Sequence, residues 1–149
     1  MDVLIEKLRD QKYANMDDQQ AADAIEAETV VVQRLVPVVE IKNWAVDNEV
    51  YSPIIIGQES SDLELRKLCI SIAGWVDDAG GRVQNADFTK PSAIKMMAGL
   101  VAKGIATQMQ IDSLKALQFK TIKWSESVGI STVGRGMVYN ARLAISRGA

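Results

Sequence analysis

The chain of 149 residues has no histidine, a single cysteine, three prolines and few aromatic side chains (5%). Without histidine there is no Ser-His-Asp or Cys-His catalysis, no histidine metal site, and none of the commonest general base near neutral pH. One cysteine excludes a Cys-rich zinc centre. Long apolar runs are missing too: the run around Ile54 to Gly57, like every other, falls far short of the ~18 residues of a membrane span. The opening Met-Asp-Val-Leu-Ile-Glu-Lys is acidic where a signal peptide wants a basic start, so export is not expected. Cys69 lies in an apolar helical pattern and reads as a small buried hydrophobe. A lone thiol points to synthesis in a reducing cytoplasm. Any enzyme built from this chain would have to work with carboxylates, lysines or tyrosines. The reading is therefore a non-enzyme with no cofactor and no metal.

What is present is enough for one folded domain. At this length a chain hides roughly two thirds of its unfolded surface, and 48% hydrophobic residues is ordinary. The expectation is a single helical domain over residues 1–149. Charge is unevenly spread. Residues 1–101 hold 10 Lys/Arg against 17 Asp/Glu, a balance of −7, and residues 102–149 hold 7 against 2, a balance of +5. Three readings fit an acidic front and a basic tail: nucleic acid at the tail, docking of one subunit's tail on the next subunit's front, or a fold that joins the two regions internally.

Periodicity points to short helices. Asp2 to Gln11 is amphipathic, with Val3, Leu4, Ile5 and Leu8 on or near one face. A second helix begins near Asp17, where acids favour the positive end of the helix dipole. Thr29 to Val36 is the only strongly β-branched run and reads as an extended linker or short strand. Pro37 opens a helix bearing Ile41 and Trp44. Tyr51-Ser52-Pro53 and Gly57 mark an irregular crossing. The longest helix is expected from Ser60 or Ser61, with Ser61 and Glu64 forming a capping box, to Asp77, ended by Gly80-Gly81. Pro91 to Gln118 reads as a helical hairpin turning at Gly104, with Ile94, Met97, Ala98 and Val101 on one face and Thr107 as the second cap. The fold class is thus all-α: a compact bundle of about six to seven short helices with one extended segment near residues 29–36.

Adjacent carboxylates at Asp17-Asp18 and Asp77-Asp78 diverge by about 100° on a helix, so helix initiation and a solvated helix end explain them better than catalysis. A glycosidase needs only two carboxylates, yet no acid spacing here matches a small phage lysozyme. Gly80-Gly81 and Gly134-Arg135-Gly136 lack the rest of a phosphate loop. Met96, Met97 and Met109, like Trp44 and Trp75, read as core. Trp124 flanks the basic tail and is a candidate interface residue.

The tail Ser125 to Arg142 is the most informative stretch. A short helix runs into Gly129, and a second helix is expected from Thr132. As a helix-turn-helix over residues 121–147, Trp124, Ser125, Gly129, Ile130 and Val138 comply with the usual spacing. Arg135 occupies a position that should be buried, and Gly134 and Gly136 would each cost a recognition helix ~1 kcal/mol relative to alanine. Arg135, Asn140 and Arg142 are its only side chains fit for base edges. Gly136 would let another helix approach closely, and Arg142 and Arg147 favour the negative end of their helix dipole.

Two segments carry a family resemblance. Tyr13-Ala14-Asn15-Met16-Asp17-Asp18 with the alanine-rich run to Ile25, then Thr29-Val30 and Arg34, resembles the front of small, largely uncharacterised helical proteins encoded in tailed-bacteriophage structural gene clusters. Ser125-Glu126-Ser127-Val128-Gly129-Ile130 followed by Val133, Gly136, Val138, Ala141 and Arg142 resembles their end. Residues 40–105 match only in helical character and length, and Ser125 and Met137 depart from the pattern. The resemblance implies a virion protein made in the host cytoplasm and contacting other virion proteins, in multiple copies, without a membrane. Candidate partner contacts are Trp124, Arg135, Asn140, Arg142 and Arg147. A nucleic-acid-binding regulator using residues 121–147 is the alternative.

Overall fold

The computed structural model describes residues 1–77, 81 and 83–149. In chain order the elements are α1 (Asp2–Leu8), a 3-10 turn (Gln11–Tyr13), α2 (Asp18–Ala27), β1 (Thr29–Gln33), β2 (Val36–Pro37), α3 (Val38–Asp47) and α4 (Tyr51–Gly57). Then come α5 (Leu63–Val76), β3 (Asn85–Ala86), α6 (Pro91–Ala102), α7 (Gln108–Ala116), β4 (Phe119–Lys123), α8 (Trp124–Ser127) and α9 (Arg135–Ser146). The all-α expectation is corrected. The described residues are 61% helix, in nine helices, but 10% lie in two small antiparallel sheets. The β-branched run does extend, yet it splits: β1 pairs with β4, and β2 pairs with β3. Phe119-Lys-Thr-Ile-Lys123 supplies β1 with a partner rich in strand-favouring side chains.

Contacts gather the chain into two compact units, Met1–Val32 with Thr121–Ala149, and Gln33–Lys120. The first is a terminal unit made of α1, α2, α8, α9 and most of the β1 and β4 residues. Asp17 caps α2 through a reciprocal box with Gln20, which satisfies two otherwise orphan donors. Leu4, Ile5, Leu8, Tyr13, Ala21, Ala22, Ile25, Val133, Val138 and Ala141 form its core. The acidic front and basic tail meet inside this unit: Arg142 reaches Asp18 at 2.8 Å and Lys123 reaches Glu26 at 3.1 Å. The internal reading of the charge asymmetry therefore holds for these two tail cations.

The central unit, Gln33–Lys120, packs around Trp44, Ile54, Cys69, Ile72, Trp75, Met97 and Leu100. Trp44 Nε1 donates to the Gln110 carbonyl at 3.1 Å and to Ser113 Oγ at 3.0 Å. The Trp75 and Phe88 rings lie 5.4 Å apart. In the short ladder Val36 faces Ala86 and Pro37 faces Asn85. Arg34 clamps Glu40 with two bonds of 2.9 Å and donates to the Leu117 carbonyl at 3.1 Å.

Several local expectations are corrected here. Tyr51 to Gly57 is a helix, not an irregular crossing. Pro53 is tolerated because first-turn N–H groups need no intrahelical partner. Asp62, not Ser61, caps α5, accepting from Glu64 N–H at 3.0 Å and Leu65 N–H at 3.2 Å. The buried face of α6 is Ala93, Met97 and Leu100, so Ile94 is exposed, as is Met109. Gly80 and Asp78 lie outside the described residues, and Asp77 accepts a hydrogen bond from the Tyr51 hydroxyl. Gly104, at φ +70°, ends α6 as expected, and Thr107 forms a capping box with Gln110 on α7. α4 and α5 approach so closely that a Cβ on Gly57 would run into Cys69 Sγ.

Candidate functional site

The tail folds as its turn residues dictate, but with a shifted second helix. Gly129 adopts φ +79°, and Ile130 N–H returns to the Ser125 carbonyl at 2.8 Å. That left-handed turn closes α8 after four residues. The next helix does not start at Thr132. α9 begins at Arg135, with Gly134 as an N-cap that offers no side-chain bond. Arg135 is consequently a first-turn residue, which removes the conflict with a buried position. Helix-turn-helix spacing is lost, because residues 128–134 separate α8 from α9.

The sequence Arg-Gly-Met-Val-Tyr-Asn-Ala-Arg-Leu-Ala-Ile-Ser places Val138 and Ala141 in the core at 0% exposure. Arg135, Tyr139, Leu143 and Arg147 recur every four residues and therefore share another face. Arg135, Asn140 and Arg147 are exposed, Tyr139 is 56% exposed, and Leu143 is half-buried. α9 contains no acidic residue. Among the described residues, neither Arg135 nor Arg147 has a carboxylate within ion-pair distance, whereas Arg142 has Asp18. A Cβ on Gly136 would meet nothing within 4 Å. The expectation of a close helix neighbour there is therefore not met within the chain.

The other two candidates have internal work. Arg142 donates to Asp18 at 2.8 Å and to the Tyr13 carbonyl at 2.8 Å, strapping α9 to the start of α2. Trp124 is half-buried, with Lys7 Nζ 4.8 Å from its ring centre and its backbone N–H on the Glu28 carbonyl at 2.9 Å. The five candidates thus divide: Arg135, Asn140 and Arg147 face solvent, while Trp124 and Arg142 serve the fold. Tyr139 and Leu143 were missed, although four-residue spacing from Arg135 would have found them.

Behind Trp124 lies a polar cluster. Lys7, Lys12 and the Tyr13 hydroxyl all bond the Glu28 carboxylate. Burial opposes its ionisation, but the bonds from Lys12, Lys7 and Tyr13 prevail and hold its pKa down at about 2. Burial and the Glu28 hydrogen bond push the Tyr13 phenol up to about 12. Nearby, Val133 N–H donates to Glu26 at 2.6 Å, and this bond, with the Lys123 contact, lowers the Glu26 pKa. Ser125 is fully buried; its hydroxyl is near enough to aid that lowering, yet it lies outside hydrogen-bonding geometry. Each charged group of this cluster is occupied by a partner.

Among the described residues no three His, Cys, Asp or Glu side chains converge as metal ligands, and no helix is long and apolar enough to cross a membrane. Neither protein-family models, nor curated proteins, nor solved structures give a match to this chain.

Proposed function

We propose that the chain is a non-enzymatic structural or assembly component of a tailed-phage particle. It acts by protein–protein contact through the outer face of α9 on capsid, neck or tail proteins and on further copies of itself. The observation that carries this reading is the stripe Arg135, Tyr139, Leu143, Arg147: two cations with no carboxylate in ion-pair distance among the described residues, bracketing an exposed tyrosine and a half-buried leucine. Tyrosine and arginine are the side chains that most often anchor interfaces. The resemblance lends support in a second way. Of the residues that carry it, 13–25, 29–30 and 125–142 fall in the terminal unit and Arg34 in the central one, and Arg142 bonds Asp18 within the former. Arg135, Tyr139 and Asn140 lie outside the shared pattern and remain for recognition. Mass spectrometry of purified particles tests this: the protein is expected at stoichiometric copy number, and its absence from particles defeats the reading.

The same exposed Arg135, Asn140 and Arg147 keep duplex DNA as the second reading. Affinity that falls steeply with salt, and that drops on Arg135→Ala, would favour it.

A further inference from the structure

The central unit carries a groove of about 490 Å³ between α4, α5 and the turn after α6, walled by Pro53, Ile56, Leu65 and Ile105. Ile56 is 73% exposed at its edge, and Leu63 nearby is 50% exposed. The groove is an open apolar depression with a polar rim. Its rim is acidic. Glu59 lines it and has no cation within ion-pair distance among the described residues. Asp62 and Glu64, at the start of α5, share the single Lys103, at 3.2 and 3.0 Å.

The outer face of α9 has the converse character. It offers Tyr139 and Leu143 as apolar filling between Arg135 and Arg147, which stand about 18 Å apart at 1.5 Å per residue. It contains no acid to be repelled by the groove's rim. Extending the protein–protein reading of α9 above, on which it rests, we infer that the α9 outer face of one copy docks in the α4–α5 groove of a second copy. Tyr139 and Leu143 lie against Ile56 and Leu65, and Arg135 faces Glu59. Face and groove are different surfaces, so the contact is head-to-tail and propagates into a ring or a filament instead of stopping at a dimer. Glu59 and Arg135 set the direction of docking, since like charges across an interface suppress wrong pairings.

Charge reversal tests this on the full chain. Both residues are exposed and neither has an ionic partner among the described residues, so Arg135→Glu and Glu59→Arg leave the fold intact, as circular dichroism will report. Light scattering after size exclusion is expected to show the unsubstituted protein assembling beyond a dimer as concentration rises. Each reversal alone should weaken association about tenfold or more. Mixing the two variants should restore it, because the carboxylate now at position 135 of one copy meets the guanidinium now at position 59 of the other. Assembly that tolerates Glu59→Arg but not Arg135→Glu overturns this inference while leaving α9 as a protein interface. A monomer at every concentration reached also overturns it, and particle composition then judges the broader reading separately. Duplex DNA retained by the unsubstituted protein and lost by Arg135→Glu, without self-association, overturns both.

Discussion

The two units are held together by different physics. The central unit is a contiguous stretch, Gln33–Lys120, whose inside is dominated by bulky side chains: Trp44, Trp75, Phe88, Met97 and several Ile and Leu. Its ion pairs, Arg34 with Glu40 and Lys103 with Asp62 and Glu64, lie toward the surface. The terminal unit joins two segments from opposite ends of the chain. Its core is smaller among the described residues, ten buried residues against eighteen, with Tyr13 as its one fully buried ring beside Ala21, Ala22 and Ala141. Polar straps do correspondingly more there: Arg142 on Asp18 and Tyr13, Glu26 on Val133 and Lys123, and the Glu28 cluster. Where apolar volume is scarce, oriented hydrogen bonds fix which segments pair and in what register.

That contrast can be broken from either side. The largest effect is expected from Trp44→Ala, which removes a core ring and its hydrogen bonds to the Gln110 carbonyl and Ser113 Oγ. Loss of about 3–5 kcal/mol should appear in urea unfolding followed at central-unit amides. Arg142→Met takes the guanidinium from Asp18 and leaves the Tyr13 carbonyl with the Met16 N–H alone, and should cost the terminal unit about 1–3 kcal/mol. Little change at Val138 and Ala141 in hydrogen exchange would show that the strap is dispensable and the comparison too sharp.

Acid probes the same division more gently. The Glu28 pKa is depressed from 4.5 to about 2 on folding. Its contribution is thus complete above about pH 4.5 and is lost as pH falls toward 2. Protection factors at Val138 and Ala141 should therefore decline in that window earlier than those at Leu100 and Ile111. The smallest effect has the opposite sign. Ser125→Ala removes a buried hydroxyl outside hydrogen-bonding geometry and should raise the terminal unit's stability by about 1 kcal/mol. A loss on thermal melting would mean that the hydroxyl does bond Glu26.

Local chemistry was legible in the sequence, and distant pairing was not. Asp17, Thr107, Gly104 and Gly129 act where they stand, through bonds to neighbours a few residues away, and all four take the roles read for them. The sheets escaped because β1 finds its partner far along the chain: the Gln33 side chain meets Gln118 at a separation of 85 residues. At the tail, charge was visible but direction was not. Arg135 and Arg142 look alike in the sequence, and only the start of α9 at Arg135 sends one outward and the other onto Asp18. Met109 and Ile94 misled for a related reason, since a short amphipathic helix tolerates an apolar residue on its wet side.

The close packing of Gly57 on Cys69 turns the chain's one thiol into a clock. With Sγ closed off and burial pushing its pKa up, a soluble disulfide reagent can react only after α4 lifts from α5. Colour development in native buffer therefore times the opening of that helix pair, residue-specific and label-free, from a cysteine the chain already carries.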